Sequence, residues 1–111
     1  MEITFSSRRI EKLCNSAKEM RSKLGDRNAK LLQQRLSEMK AADSLDDLGK
    51  LPGARCHELK ADRKGQLAVD LVHPKRLIFE PADNPKPTKL DGGLDWQKVT
   101  KVEVLEIVDY H

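Results

Sequence analysis

Hydrophobic positions repeat with two different periods along this chain, and the change near residue 54 marks where helices give way to strands. Residues 2–5 alternate, which predicts a short opening strand with Ile3 and Phe5 on one face. Ser6 or Ser7 then offers a helix N-cap. Ile10, Leu13, Cys14, Ala17, Met20 and Leu24 follow at helical spacing, with Gly25 as the stop and Cys14 on the apolar stripe. Asp26 is the expected cap of a second helix over 27–41, whose inner face is Ala29, Leu32, Leu36 and Met39. So short a break predicts an antiparallel helix pair. Residues 43–48 read as one capped turn closed by Gly49, with the acids Asp43, Asp46 and Asp47 favouring its N-terminal end.

Beyond residue 54 the period is two. Strands are expected over 54–60, over 66–72 with Leu67, Val69 and Leu71 on one face, and over 76–80 with Leu77 and Phe79 inward. The turns fall at 62–65, where Gly65 suits a positive φ, and at 73–75. Three prolines and two glycines make 81–98 an exposed loop of unusual length, with Trp96 pinning its far end to the body. Residues 99–108 form the last strand. Its alternation slips at Val104-Leu105, as in a strand that is covered on both faces or carries a bulge, and it belongs inside the sheet. The expectation is α+β in one domain, 1–111: two N-terminal helices packed on a small, mostly antiparallel, twisted sheet.

Composition narrows the function. Aromatic residues are only 4%, which argues against a broad base-stacking platform. The net charge is +3, but residues 1–42 carry ten cations against five anions and residues 53–76 six against three, while 77–111 is acidic. That layout suits a polyanion on one face and a protein partner elsewhere. No run of about 18 apolar residues spans a membrane, and no export signal precedes the first strand. Cys14 and Cys56 lack metal-type spacing and are expected to be reduced, in the cytoplasm.

The candidate chemistry sits in 55–79 and at the last three residues. RNA cleavage without a metal needs a base for the 2′-hydroxyl, a cationic clamp on the phosphate and an acid for the 5′-oxygen. His57, Lys60, Arg63, Lys64, Arg76, Tyr110 and His111 supply those types. Arginine binds two phosphate oxygens at once, and histidine exchanges protons near neutrality. One difficulty is parity. His57 and Lys60 are three apart and point to opposite faces of an ideal strand, so they share a site only if the strand has ended or bulged.

These residues resemble the HigB branch of the RelE/ParE-type toxins of bacterial toxin–antitoxin modules. The likeness rests on His57-x-Leu59-Lys60-x-Asp62-Arg63-Lys64-Gly65, on Arg76-Leu77-Ile78-Phe79 and on the terminal Asp109-Tyr110-His111. It implies a RelE-like fold and a metal-independent endoribonuclease, without cofactor, that cuts messenger RNA in the ribosomal A site. It also implies a HigA-type helix-turn-helix antitoxin as partner, with DNA met only through that antitoxin. By the same resemblance His57, Lys60, Arg76, Asp109, Tyr110 and His111 are catalytic. Arg63 and Lys64 lie in the basic turn facing ribosomal RNA, with Arg55 and Lys75 as flanking cations. The sequence departs from the family's pattern at Leu67 and Lys75, where aromatics are usual, and in the length of loop 81–98. The rival readings are a ParE-like inhibitor of gyrase acting by binding, a non-catalytic RNA- or ribosome-binding module, and a metal-dependent nuclease using Asp46 or Asp47 with Glu58-Leu59-Lys60.

Overall fold

The computed structural model describes residues 1–109; Tyr110 and His111 lie outside the described residues. It is an α+β domain in which a strand precedes three helices and four further strands complete the sheet. β1 (Glu2–Phe5) leads into α1 (Arg8–Asn15), capped by the Ser7 hydroxyl, which accepts the Ile10 amide at 3.3 Å. The long first helix expected from the apolar spacing is broken at Ser16. That residue is extended (φ −130°, ψ 111°), and its hydroxyl accepts the Glu19 amide, so it starts a new helix rather than continuing the old one. α2 (Ala17–Ala41) is interrupted where the stop was expected, at Gly25, whose φ of 81° favours glycine. The residue out of helical geometry there is Gly25, so Asp26 is helical and not the cap. Cys14 and Leu36, equidistant in sequence from Gly25, line one cavity together, as helices running back along each other require. α3 (Leu45–Gly49) buries Leu45 and Leu48 and leaves Asp46 and Asp47 paired with Lys50.

The sheet runs β1-β5-β4-β3-β2, with β1 parallel to β5 and the other pairs antiparallel. β2 (His57–Glu58) is far shorter than the strand expected over 54–60, because Arg55 and Ala61 take positive φ (49° and 58°) on either side of it. β3 (Leu67–Asp70) and β4 (Lys75–Pro81) form the hairpin, and β5 (Lys101–Asp109) lies inside the sheet as expected. The register shifts between Ile78, opposite Glu106, and Phe79, opposite Val104. Leu105 is therefore the extra residue, a bulge at the place where the alternation slips. Leu67, Val69, Leu77, Phe79, Val102 and Val104 meet the helices in the main core, whereas Leu59, Ala68 and Ile78 form a smaller cluster on the other face. None of the described helices is long and apolar enough to cross a membrane.

Loop 82–98 is ordered by its own contacts. Thr88 bridges Leu94, and a short helical turn, Trp96–Lys98, closes it. Trp96 does pin the far end. Its indole donates to Glu58 Oε2 at 2.9 Å, and its ring lies so close to Gly49 that a Cβ there would come within 2.8 Å of it. At the near end Asp83 accepts the Thr100 hydroxyl and the amides of Thr100 and Lys101. Burial alone would raise the Asp83 carboxyl, but these hydrogen bonds outweigh it and hold the group below the usual carboxylate range.

The inner face of α2 differs from its apolar pattern at one position. Leu36 is half-buried and Arg35 is buried, with 5% of its surface exposed. The Arg35 guanidinium donates to the Asp70 carbonyl and the Gly53 carbonyl, both at 2.7 Å, and to Glu38 at 2.9 Å. A buried cation is tolerated only when its donors are this fully engaged. Arg35→Ala is expected to cost about 3 kcal/mol in urea unfolding, against about 1 kcal/mol for Leu36→Ala. Equal costs would contradict this assignment.

Candidate functional site

Strand parity decides which candidates can meet. Directly opposed residues of an antiparallel pair point to the same side. Ala68 and Ile78 lie on the face away from the helices, so His57 (opposite Ala68) and Glu106 (opposite Ile78) lie there too. Two residues along, Asp70, Arg76 and Val108 form a second row on the same face. Ladder spacings of ~4.8 Å between strands and ~3.4 Å along them put the Cα atoms of His57 and Arg76 about 12 Å apart. The two side chains thus share one face, with strand β3 between them.

Each group is held. His57 Nδ1 lies 2.8 Å from the Arg55 carbonyl. A carbonyl only accepts, so Nδ1 carries the proton, and in the neutral ring Nε2 keeps a lone pair for exchange. The Asp70 carboxylate sits between two arginines, Arg55 Nε at 3.5 Å from Oδ2 and Arg76 Nε at 3.4 Å from Oδ1. Asp70 Oδ1 is buried and has no hydrogen-bond partner among the described residues, so the Arg76 contact is one of charge. The same residue fastens the site to the fold through its main chain, accepting from Arg35 and donating to the Ala54 carbonyl at 2.9 Å.

The other candidates are dispersed. Arg63 donates to Gln66 and, at 2.8 Å, to Glu106 on the same open face. Lys60 is extended, caps the turn Ala61–Arg63 and is exposed. It lines a cavity with Glu58 and Lys64. Lys75 pairs with Asp109 at 2.8 Å. Lys75 lines a cavity with Ile10, Leu13 and Leu24, which places that pair on the helix side of the sheet, across from Arg76. Tyr110 and His111 lie outside the described residues.

Two carboxylates escape sequence reasoning. Asp70 and Glu106 read as the polar residues of amphipathic strands, and the register shows that they face Arg76 and Arg63. Counting back from the 73–75 turn would have paired Asp70 with Arg76. Both cysteines are in surroundings that disfavour the thiolate. Burial pushes the Cys14 thiol up to about 11, and burial with the Glu58 charge pushes Cys56 up to about 12. Among the described residues no group of three or more His, Cys, Asp or Glu converges as a metal cage. Asp46 and Asp47 are taken by Lys50, and Glu58 by Trp96.

A face that offers a proton-exchanging imidazole beside two arginines can bind a phosphodiester and move a proton at it. No family model matches the chain, and no curated protein matches it. The electrostatics are testable without knowing the substrate. A double-mutant cycle of Asp70→Ala with Arg76→Ala, followed by chemical denaturation, is expected to give a coupling of about 1 kcal/mol. A coupling of zero would show that Asp70 does not hold Arg76.

Proposed function

We propose that the open face of the sheet cleaves messenger RNA on the ribosome by attack of a 2′-hydroxyl on the adjacent phosphate, without a metal. In this reading the protein is a cytoplasmic toxin of the HigB branch of the RelE/ParE-type modules, with a RelE-like fold, and a HigA-type antitoxin neutralises it. The observation that carries the reading is His57, with its Nδ1 proton committed to the Arg55 carbonyl, on the same face as Arg76 and Asp70. The motif residues His57, Lys60, Arg76 and Asp109-Tyr110-His111 support it through the sequence resemblance, and the α+β class of the domain agrees with it, although a strand and not a helix comes first.

The 2′-hydroxyl gives its proton to His57 Nε2 as its oxygen bonds to phosphorus. Charge accumulating on the non-bridging oxygens is met by the guanidinium of Arg76, held by Asp70, and by Arg55 beside it. The bond to the 5′-oxygen breaks and that oxygen takes up a proton. This role falls to Tyr110 or His111 on the sequence resemblance alone. Lys60, catalytic on the sequence resemblance, lies in the neighbouring cavity with Lys64 and adds positive charge to the approach of the RNA rather than to the reacting phosphate. The reading gives Asp109, paired with Lys75 across β4, a place in ordering the end of β5.

In a reconstituted translation system the wild type is expected to cut message within codons, with a chelator selective for transition metals, at constant free Mg²⁺, leaving the cut unchanged. His57→Ala is expected to lower the rate about 10²- to 10⁴-fold while the protein stays folded. Arrest of growth by an inducible wild type without any RNA cleavage would replace this reading with that of a binding toxin of the ParE kind.

A further inference from the structure

The sequence left loop 82–98 without a function, and its fold returns a lysine to the basic turn. Lys60 and Lys64 line one cavity of about 400 Å³ together with Gly65. From the loop, Lys86 Nζ comes within 3.8 Å of the position that a Cβ would take at Gly65. Gly65 has a φ of 93°, so its bare backbone forms the floor beneath that ammonium group. Like several other lysines of the chain, Lys60, Lys64 and Lys86 have no carboxylate within 4 Å among the described residues; what sets them apart is their position around Gly65. The one carboxylate lining the cavity, Glu58, gives Oε2 to the Trp96 indole. That bond holds the loop that carries Lys86 against β2, and the amide of Asp95 reaching the Pro87 carbonyl at 3.0 Å holds the loop's own turn closed.

Three lysines around Gly65 outnumber the single carboxylate of the cavity, Glu58, and a bound anion lowers the cost of holding their like charges near one another. We propose that Lys60, Lys64 and Lys86 form a phosphate site for single-stranded RNA, separate from the cleavage face and built jointly by the Ala61–Arg63 turn and loop 82–98. This rests on the reading of an RNA substrate. The site takes a backbone phosphate flanking the one that is cut, and the chelating partner on the protein side is the ammonium cluster rather than an arginine fork. Lysines act there as point charges, so the site holds the strand without reading its bases.

The test is fluorescence anisotropy of the full chain with a labelled single-stranded oligoribonucleotide carrying 2′-O-methyl groups, which binds but cannot be cut by 2′-hydroxyl attack. Lys86→Ala is expected to weaken binding about 3- to 10-fold and to reduce the slope of log affinity against log salt by about 0.7. Lys89→Ala, an exposed lysine of the same loop, is expected to leave both unchanged. Equal effects of the two substitutions, an unchanged slope, or no binding by the wild type would overturn the proposal. So would competition by inorganic phosphate at the same concentration of phosphate groups as the RNA, which would mark a site for a small free anion. Binding with the predicted slope change but no cleavage of unmodified message would sustain the site while removing the ribonuclease reading.

Discussion

The buried guanidinium of Arg35 joins three parts of the chain at one point. Its donors reach the main chain of Asp70 at the end of β3, that of Gly53 before β2, and the Glu38 carboxylate on its own helix. A charge in that position is costly unless each donor is used, so the geometry of α2 fixes where residues 53–57 and the end of β3 must lie. Those two segments carry Arg55, His57 and Asp70. The helix layer thereby positions a surface on the far side of the sheet.

The sheet then distributes the chemistry by parity. β4 is buried on both faces through Leu77, Ile78 and Phe79, and its alternation sends Arg76 to the open face and Lys75 to the helix side. The bulge at Leu105 lets β5 follow β4 on both sides of the shift, keeping Glu106 opposite Ile78 and within reach of Arg63. One face holds the imidazole and two arginines around Asp70. The other holds Lys75 with Asp109. The cations of this region are thus sorted into an ion-paired set, a set poised around one carboxylate, and the lysines of the Gly65 cavity.

Much of the fold is legible in the sequence because it follows from local rules. Gly25 interrupts the helices, Trp96 pins its loop, and the slip at Val104-Leu105 becomes a bulge. The failures have physical reasons too. Ser16 lies within an unbroken apolar stripe, so its switch from helix interior to cap leaves no mark in the periodicity. Arg35 occupies a core position that hydrophobic patterning assigns to Leu36, because a cation is buried only when distant carbonyls happen to receive it. The shortness of β2 comes from positive φ at Arg55 and Ala61, residue types that give no warning of it. In the candidate site, His57 and Arg76 are readable as residues, and the opposed parity of His57 and Lys60 is readable as a constraint. The partnership of Asp70 with both arginines needs the register, and the approach of Lys86 to Gly65 needs the whole loop.

The most direct measurement is the chemistry of the RNA ends left when the purified protein acts on a translating ribosome. Attack by the 2′-hydroxyl at the open face leaves a 2′,3′-cyclic phosphate and a 5′-hydroxyl, and those ends are what this account predicts. A 3′-hydroxyl with a 5′-phosphate would contradict it, because those ends come from attack by water and need no proton transfer from the neighbouring 2′-oxygen.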